Sequence, residues 1–277
     1  MKIDYQRIDE ELNTFAIDVI YEILDKYSTF ISNQEKDNLV EKITHNRAII
    51  VDEPSKEDED FFQGNIPVAH GPRAKGDGYI HIYPYAFHNK NTEEIIKNCI
   101  DHIIIHELYH FIIKLDIDEE YTKDEIDFGH YLTEGMVQLF SEIHQGKIDR
   151  TSKYRKNVDN AKIIYETFPN NPSPIFQQNY KELFESSPNL STIFEDFLKE
   201  KEFTNKLDDF FKELAPIINW EQKRLISKSK SFSIDDTLIN LKNLIEKHLP
   251  KEEAKSYCNK LDEIYTACFK QNKKSII

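Results

Sequence analysis

The stretch from Cys99 to Leu115 constrains the fold more than any other part of the chain. It is apolar almost all the way round a helix, a pattern typical of a helix buried inside a protein. Ionisable residues nevertheless interrupt it, at Asp101, His102, His106, Glu107 and His110. Because an uncompensated charge is costly to bury, the pattern predicts that a charged partner such as a metal ion lies beside this helix.

The spacing of these residues indicates what the partner does. Four residues turn a helix by about 400°, so His106 and His110 face one side, one turn apart. Glu107 is about 100° further round than His106, beside an ion held by the histidines but not in line to bind it. There its carboxylate can take a proton from an activated water and return it to a leaving amine. This is the His-Glu-x-x-His pattern of zinc hydrolases, so we predict His106 and His110 as metal ligands and Glu107 as a catalytic residue.

A second segment, Thr133-Glu134-Gly135, follows further along the chain. Together the two segments resemble the gluzincin group of zinc metallopeptidases, in which the third ligand is the Glu of a Thr-Glu-Gly-like segment on the next helix. The resemblance covers residues from about 99 to 143. It implies that Glu134, 24 residues after His110, binds one Zn²⁺ per chain with both histidines. Such a set leaves the fourth zinc position open for water, as catalytic sites require.

The resemblance also assigns the neighbours of Glu134. Gly135 would let the backbone of its helix approach another element closely. Gln138 lies one turn after Glu134, where some gluzincins carry an Asp that orients the first His of the motif. A Gln can accept the same hydrogen bond but brings no charge.

Two other residues compete for the place of third ligand. Asp116 is six residues after His110, where compact zinc endopeptidases place a ligand, but those enzymes have a Gly where this chain has Ile113. His130 is one turn before Glu134 on the same helix face. We predict Glu134 as the ligand and His130 as a second catalytic residue that stabilises the transition state.

The remaining sequence favours helices. Glycine is scarce, with 7 residues, and 39% of the chain is apolar, which is enough to build a core. We therefore expect an α+β, predominantly α-helical fold: a zincin-like core with a small β-sheet, and a helical C-terminal lobe. The core would cover residues 1–147 and the lobe residues 148–277, unless both form one continuous domain.

Periodicity and turn signals predict individual elements. We expect a helix from about Tyr5 to Phe30 and a further one from about Lys123 to Ile143. Thr92 is expected to cap a third helix that continues to about Leu115. Strands are expected at Arg47–Val51 and Tyr79–Tyr83, with 52–78 as a surface loop. The second strand is interpreted as an edge strand, either an ordinary one or one that pairs with an extended peptide.

Charge and composition exclude several classes of partner. The 36 basic and 50 acidic residues give a net charge of −14, which disfavours nucleic acids and anionic membrane surfaces. We find neither a secretory signal nor a run of about 20 apolar residues. Three cysteines without a close pair suggest free thiols, so we expect a cytoplasmic protein.

These features together predict a zinc-dependent hydrolase, a metallopeptidase that acts on peptide or protein substrates. The alternative is a catalytically inactive, metallopeptidase-like module for regulation or protein interaction. The intact set of His106, Glu107, His110 and Glu134 favours the enzyme.

Overall fold

The computed structural model describes residues 3–61, 67–71, 77–113, 121–149, 154–168, 172–176, 183, 187–214 and 234–269. In these ranges the chain is mostly helical and has one small three-stranded sheet, which confirms the predicted α+β, predominantly α-helical class. None of the helices in the same ranges combines the length and the apolar character needed to cross a membrane.

The elements of the first part of the chain are, in order, α1 (Tyr5–Tyr27), α2 (Asn33–His45), β1 (Ile49–Val51), α3 (Lys56–Phe61), β2 (Ala69–His70), β3 (Ile80–Ile82), a 3₁₀ turn (Pro84–Ala86), α4 (Thr92–His102) and α5 (Ile104–Tyr109). The second part contains α6 (Lys123–Gln145), α7 (Arg155–Tyr165), α8 (Ser173–Phe176), α9 (Pro188–Leu214), α10 (Ile234–His248) and α11 (Lys251–Phe269).

The two N-terminal helices differ in how well the sequence predicts them. The periodic apolar residues of α1 are buried, as expected, although the helix ends at Tyr27 rather than near Phe30. Helix α2 is not predicted, because Leu39 is the single apolar side chain among its buried residues. Its start is nevertheless encoded by a capping box, in which Ser32 and Glu35 each bond the other's backbone N–H.

The sheet has the order β1-β3-β2, with β1 parallel and β2 antiparallel to β3. Both predicted strands are present in shortened form. The interpretation of Tyr79–Tyr83 as an edge strand is wrong, because β3 lies between the other two strands. The edges are β1 and β2, and β2 lies inside the predicted loop 52–78. Two residues are too few to produce an alternating pattern, so pairing with β3 rather than local sequence decides this strand.

The predicted helix from Thr92 to Leu115 is interrupted. Asn91, not Thr92, is the N-cap, and α4 ends at His102, where Ile103 departs from helical geometry with φ −118° and ψ −58°. Helix α5 then begins at Ile104, and residues 110–113 form turns; Leu115 lies outside the described residues. Three consecutive β-branched isoleucines, 103–105, weaken the local helical preference at the break.

The chain divides into two compact units. Unit 1 comprises residues 1–121, 129–148 and 157–187, and unit 2 comprises 122–128, 149–156 and 188–277. The predicted boundary after residue 147 therefore lies near the point where the chain leaves unit 1 for the second time, and the chain returns to unit 1 at Asn157. Within unit 2, α11 packs against both α9 and α10 around a core that includes Phe210, Leu241 and Leu261.

Candidate metal centre

Helix α5 and its C-cap present the two predicted histidine ligands: His106 lies in the helix and His110 is its C-cap residue. Its apolar residues are buried in unit 1, and the ring of Tyr109 packs edge-on against Tyr27 of α1 at 6.2 Å. With α5 fixed in this way, the imidazoles of His106 and His110 lie next to each other, with ring centroids 5.1 Å apart. The break at Ile103 leaves this spacing intact, because it precedes the motif.

Helix α6 brings Glu134 to the same place. One carboxylate oxygen, Oε2, is 3.5 Å from Nε2 of His106, and the other, Oε1, is 3.6 Å from Nε2 of His110. An aromatic contact holds the two helices together, since Phe140 of α6 packs on Tyr109 at 5.8 Å. Sequence positions that are 24 residues apart thus converge in unit 1.

The geometry of the three side chains suits a metal ion. One donor atom from each residue lies within 4.8 Å of the others, and no other group of this kind occurs in the part of the chain that is described. Two ligands of a tetrahedral zinc ion are about 3.4 Å apart, given metal–ligand bonds of about 2.1 Å. Each histidine is close to this distance from Glu134, His106 at 3.5 Å from Oε2 and His110 at 3.6 Å from Oε1, so the two contacts use different carboxylate oxygens. The chemistry of two imidazoles and one carboxylate also fits zinc.

A glycine allows α6 to reach its position. A Cβ atom on Gly135 would be 2.4 Å from the backbone oxygen of Asn157, at the start of α7. The Asn157 side chain in turn donates a hydrogen bond of 2.9 Å to the backbone oxygen of Tyr131. The predicted close approach at Gly135 is confirmed, and α7 is the neighbour.

Glu107 is beside the ligands but is not a member of their group. Gly71, directly after β2, lies on one side of the Glu107 carboxylate. A Cβ atom on Gly71 would be 2.8 Å from Oε2 of Glu107 and 3.6 Å from the His110 ring. The chain leaving the edge strand therefore forms a wall of the site, and a side chain at position 71 would require the Glu107 carboxylate to shift.

A contact on the Nδ1 side of the ring sets the orientation of His106. Its Nδ1 is 3.0 Å from Oε1 of Gln138, so Gln138, which stands where some gluzincins carry an Asp, does contact His106. The other ring nitrogen, Nε2, faces Glu134. A histidine whose Nδ1–H is engaged in this way offers Nε2 to a metal.

The field around His106 favours a positive charge. Burial opposes the charged imidazole and by itself lowers the pKa, but the contact with the Glu134 carboxylate and the negative charges of Glu107 and Glu134 outweigh this effect. The pKa of His106 is consequently raised. The carboxylates of Glu107 and Glu134 therefore stabilise a positive charge at His106.

The remaining candidates are placed differently. His130 is exposed and does not belong to the ligand group. Asp116 lies outside the described residues. His102, the last residue of α4, is exposed as well. No pattern in the sequence points to Gly71, because its contact with Glu107 depends on the position of a two-residue strand.

Comparisons of this chain with models of protein families, with curated proteins and with solved structures find no match.

Proposed function

We propose that the chain is a zinc-dependent hydrolase of the gluzincin kind, a metallopeptidase that cleaves peptide bonds with Glu107 as general base. The observation that carries the proposal is the convergence of His106, His110 and Glu134 at separations typical of zinc ligands. The proposal includes a zincin-like core. Three features support it: a helix with the His-Glu-x-x-His motif, a second helix with the third ligand, and a small sheet with an antiparallel edge strand.

Each residue of the site has a role in this chemistry. Zinc, when bound to His106, His110 and Glu134, supplies a Lewis acid that polarises a carbonyl group and makes water more acidic. The carboxylate of Glu107 accepts a proton from the attacking water and passes it to the leaving amine. Gly71 limits the movement of that carboxylate on one side. General acid–base catalysis of this type contributes about 10²–10⁴-fold to the rate.

The sheet supports a peptide as the substrate. An extended peptide can pair with a free strand edge through backbone hydrogen bonds, which recognise its conformation rather than its sequence. Of the two edge strands, β1 and β2, we assign this role to β2, because β2 leads directly to Gly71 beside Glu107. A bound peptide would thereby place a carbonyl group near the base.

We assign stabilisation of the developing oxyanion to His130. It lies one helical turn before Glu134 on α6, so both residues share a face of that helix. Its side chain is exposed and accessible to a substrate. A hydrogen-bond donor aimed at the developing negative charge is worth about 3–4 kcal/mol in comparable sites.

The test combines metal analysis with digestion. The full chain should contain about one zinc per molecule, as a three-ligand catalytic site requires. It should cleave members of a peptide library, and a chelator should abolish cleavage. The variant Glu107→Gln should retain zinc and lose at least about 100-fold in rate. Asp101→Asn, which changes a carboxylate bonded to Lys97 on α4, is the control and should behave like the parent.

The outcomes separate the enzyme from its alternative. Full activity of Glu107→Gln, or a chain that binds no zinc, contradicts the proposed mechanism. Zinc binding without any cleavage by the parent chain supports a metallopeptidase-like module that has lost catalysis.

A further inference from the structure

Helix α6 carries three functional side chains along one stripe. Glu134, Gln138 and Glu142 follow one another at intervals of four residues, so all three face the same side of the helix. Glu134 contacts both histidines of α5. Gln138 joins His106 on one side and Glu142 on the other, at 3.0 and 3.4 Å respectively.

The contact with Glu142 determines which end of the Gln138 amide faces His106. An ionised carboxylate only accepts hydrogen bonds, so the amide group next to it has to be the NH₂ donor. Nε2 of Gln138 donates to Oε1 of Glu142, and Oε1 of Gln138 therefore faces the imidazole. Without the carboxylate, the amide could present its NH₂ group to the ring instead.

The direction of the amide then determines the state of the imidazole. An amide oxygen only accepts, so Nδ1 of His106 has to carry a proton and donate it. In the neutral ring Nε2 is then left with its lone pair, 3.5 Å from the carboxylate of Glu134 where a metal would bind. A reversed amide would favour the tautomer with the proton on Nε2, which cannot bind a metal.

Glu142 also supplies the charge that Gln138 lacks. Glu142 is only 8% exposed, and a carboxylate is rarely buried to this extent unless it is paired. Since hydrogen-bonded groups polarise one another in a medium of low dielectric constant, a negative charge behind the amide strengthens its oxygen as an acceptor. Some gluzincins place a charged Asp directly beside the histidine. Here the negative charge lies one helical turn further along α6, on Glu142.

We propose that Glu142 is a positioning residue, which fixes the amide of Gln138 and thereby the metal-binding tautomer of His106. This inference rests on the proposed zinc centre. The measured quantity is the dissociation constant of Zn²⁺ for the full chain, obtained by competition with a chelating indicator. Partners of metal-binding histidines alter metal affinity by about 10–100-fold when removed.

Three variants test the direction of the relay. Glu142→Gln removes the obligatory acceptor and should weaken zinc binding by about tenfold. Gln138→Leu should weaken it at least as much, and adding Glu142→Gln to Gln138→Leu should change the constant by less than about twofold, since the intermediary is gone. The exchange variant Gln138→Glu with Glu142→Gln retains the charge and reverses the order, so it should restore binding to the parent value or better.

A matched control is available on the same helix. Gln145 donates a hydrogen bond of 3.2 Å to Ser141, which has the same spacing of four residues but does not involve His106. Ser141→Ala should leave the zinc dissociation constant within about twofold of the parent value, in line with sites that share no partners. Melting temperatures of all variants distinguish loss of folding from loss of affinity, and the exchange variant provides the test if Glu142→Gln does not fold.

Each result has a distinct meaning. Unchanged affinity in Glu142→Gln, or an exchange variant as weak as the single variants, overturns the role of Glu142 while the zinc centre stands. A parent chain that binds no zinc overturns the centre itself and this inference with it.

Discussion

The carboxylate of Glu107 has the backbone of Gly71 as one of its walls. Any side chain at position 71 would begin 2.8 Å from Oε2 of that carboxylate, closer than a carbon and an oxygen atom normally approach. Residue 71 therefore influences where the carboxylate of the base lies, although residue 71 provides no functional group.

We expect Gly71→Ala to retain zinc and to lose activity. The methyl group would displace the carboxylate of Glu107, and a shift of about 1 Å in a catalytic group can lower the rate by about 100-fold. The measurements are the turnover number on a cleaved peptide and the zinc content. Gly146→Asn is the control, because that glycine has open space around it and a φ of 64°, which Asn tolerates. Undiminished turnover in Gly71→Ala would contradict the predicted wall.

The site could be predicted from the sequence to the extent that it is local. His106, Glu107 and His110 follow from their spacing on one short helix. Glu134 required the resemblance to a family, because residues alone cannot indicate which side chain 24 positions away returns to the histidines. Gly71 could not be found, since its role arises from the packing of a strand edge against α5.

At the level of elements, the close approach of α6 and α7 at Gly135 has a measurable cost for substitution. Alanine is preferred over glycine inside a helix by about 1 kcal/mol. Here a Cβ atom would be 2.4 Å from a backbone oxygen of α7, and overpacking of this kind costs about 1–3 kcal/mol or more. Because backbone cannot move aside as a flexible side chain does, the steric term should dominate.

Gly135→Ala should therefore lower the free energy of unfolding, by about 1–2 kcal/mol after the gain in helix propensity is subtracted. Urea denaturation followed by circular dichroism measures the change. An increase in stability of about 1 kcal/mol would mean that helix propensity prevails and that the two helices are not in tight contact.

The elements themselves show where sequence patterns fail. Helices α1 and α6 are long and have a regular apolar face, so periodicity predicts them well. Helix α2 buries mainly the stems of polar residues, and β2 is held by its partner strand, so neither has an apolar pattern of its own. The break at Ile103 could not be predicted, because the sequence is equally apolar before and after it.

For the whole molecule, zinc would connect two helices of unit 1 that are distant in sequence. A ligand that binds only the folded state stabilises it by about 4 kcal/mol when its free concentration is a thousand times the dissociation constant. For a unit of this size, such a gain corresponds to a rise in melting temperature of about 10 °C. Zinc should produce this rise in the parent chain, as measured by differential scanning calorimetry.

The shift should disappear when a ligand is removed. Glu134→Ala retains both histidines but loses the carboxylate that joins α6 to them, so zinc should leave its melting temperature nearly unchanged. Magnesium serves as the control ion with the parent chain, because it prefers oxygen ligands in octahedral geometry. An equal rise in Glu134→Ala would show that the stabilising zinc binds elsewhere.

No single boundary in the sequence separates the two units. Residues 157–187 return to unit 1 after the chain has entered unit 2, so the units interleave along the chain. Truncation near residue 147 would consequently remove α7, against which α6 packs at Gly135.

The stripe on α6 also restricts how the length of this protein can change. One residue inserted ahead of Glu134 would turn Glu134, Gln138 and Glu142 away from His106 together, by about 100°. The same insertion beyond Gly146 would leave all three where they are. Insertion of a single residue in the first half of this helix is therefore more damaging than most substitutions of its outward-facing residues.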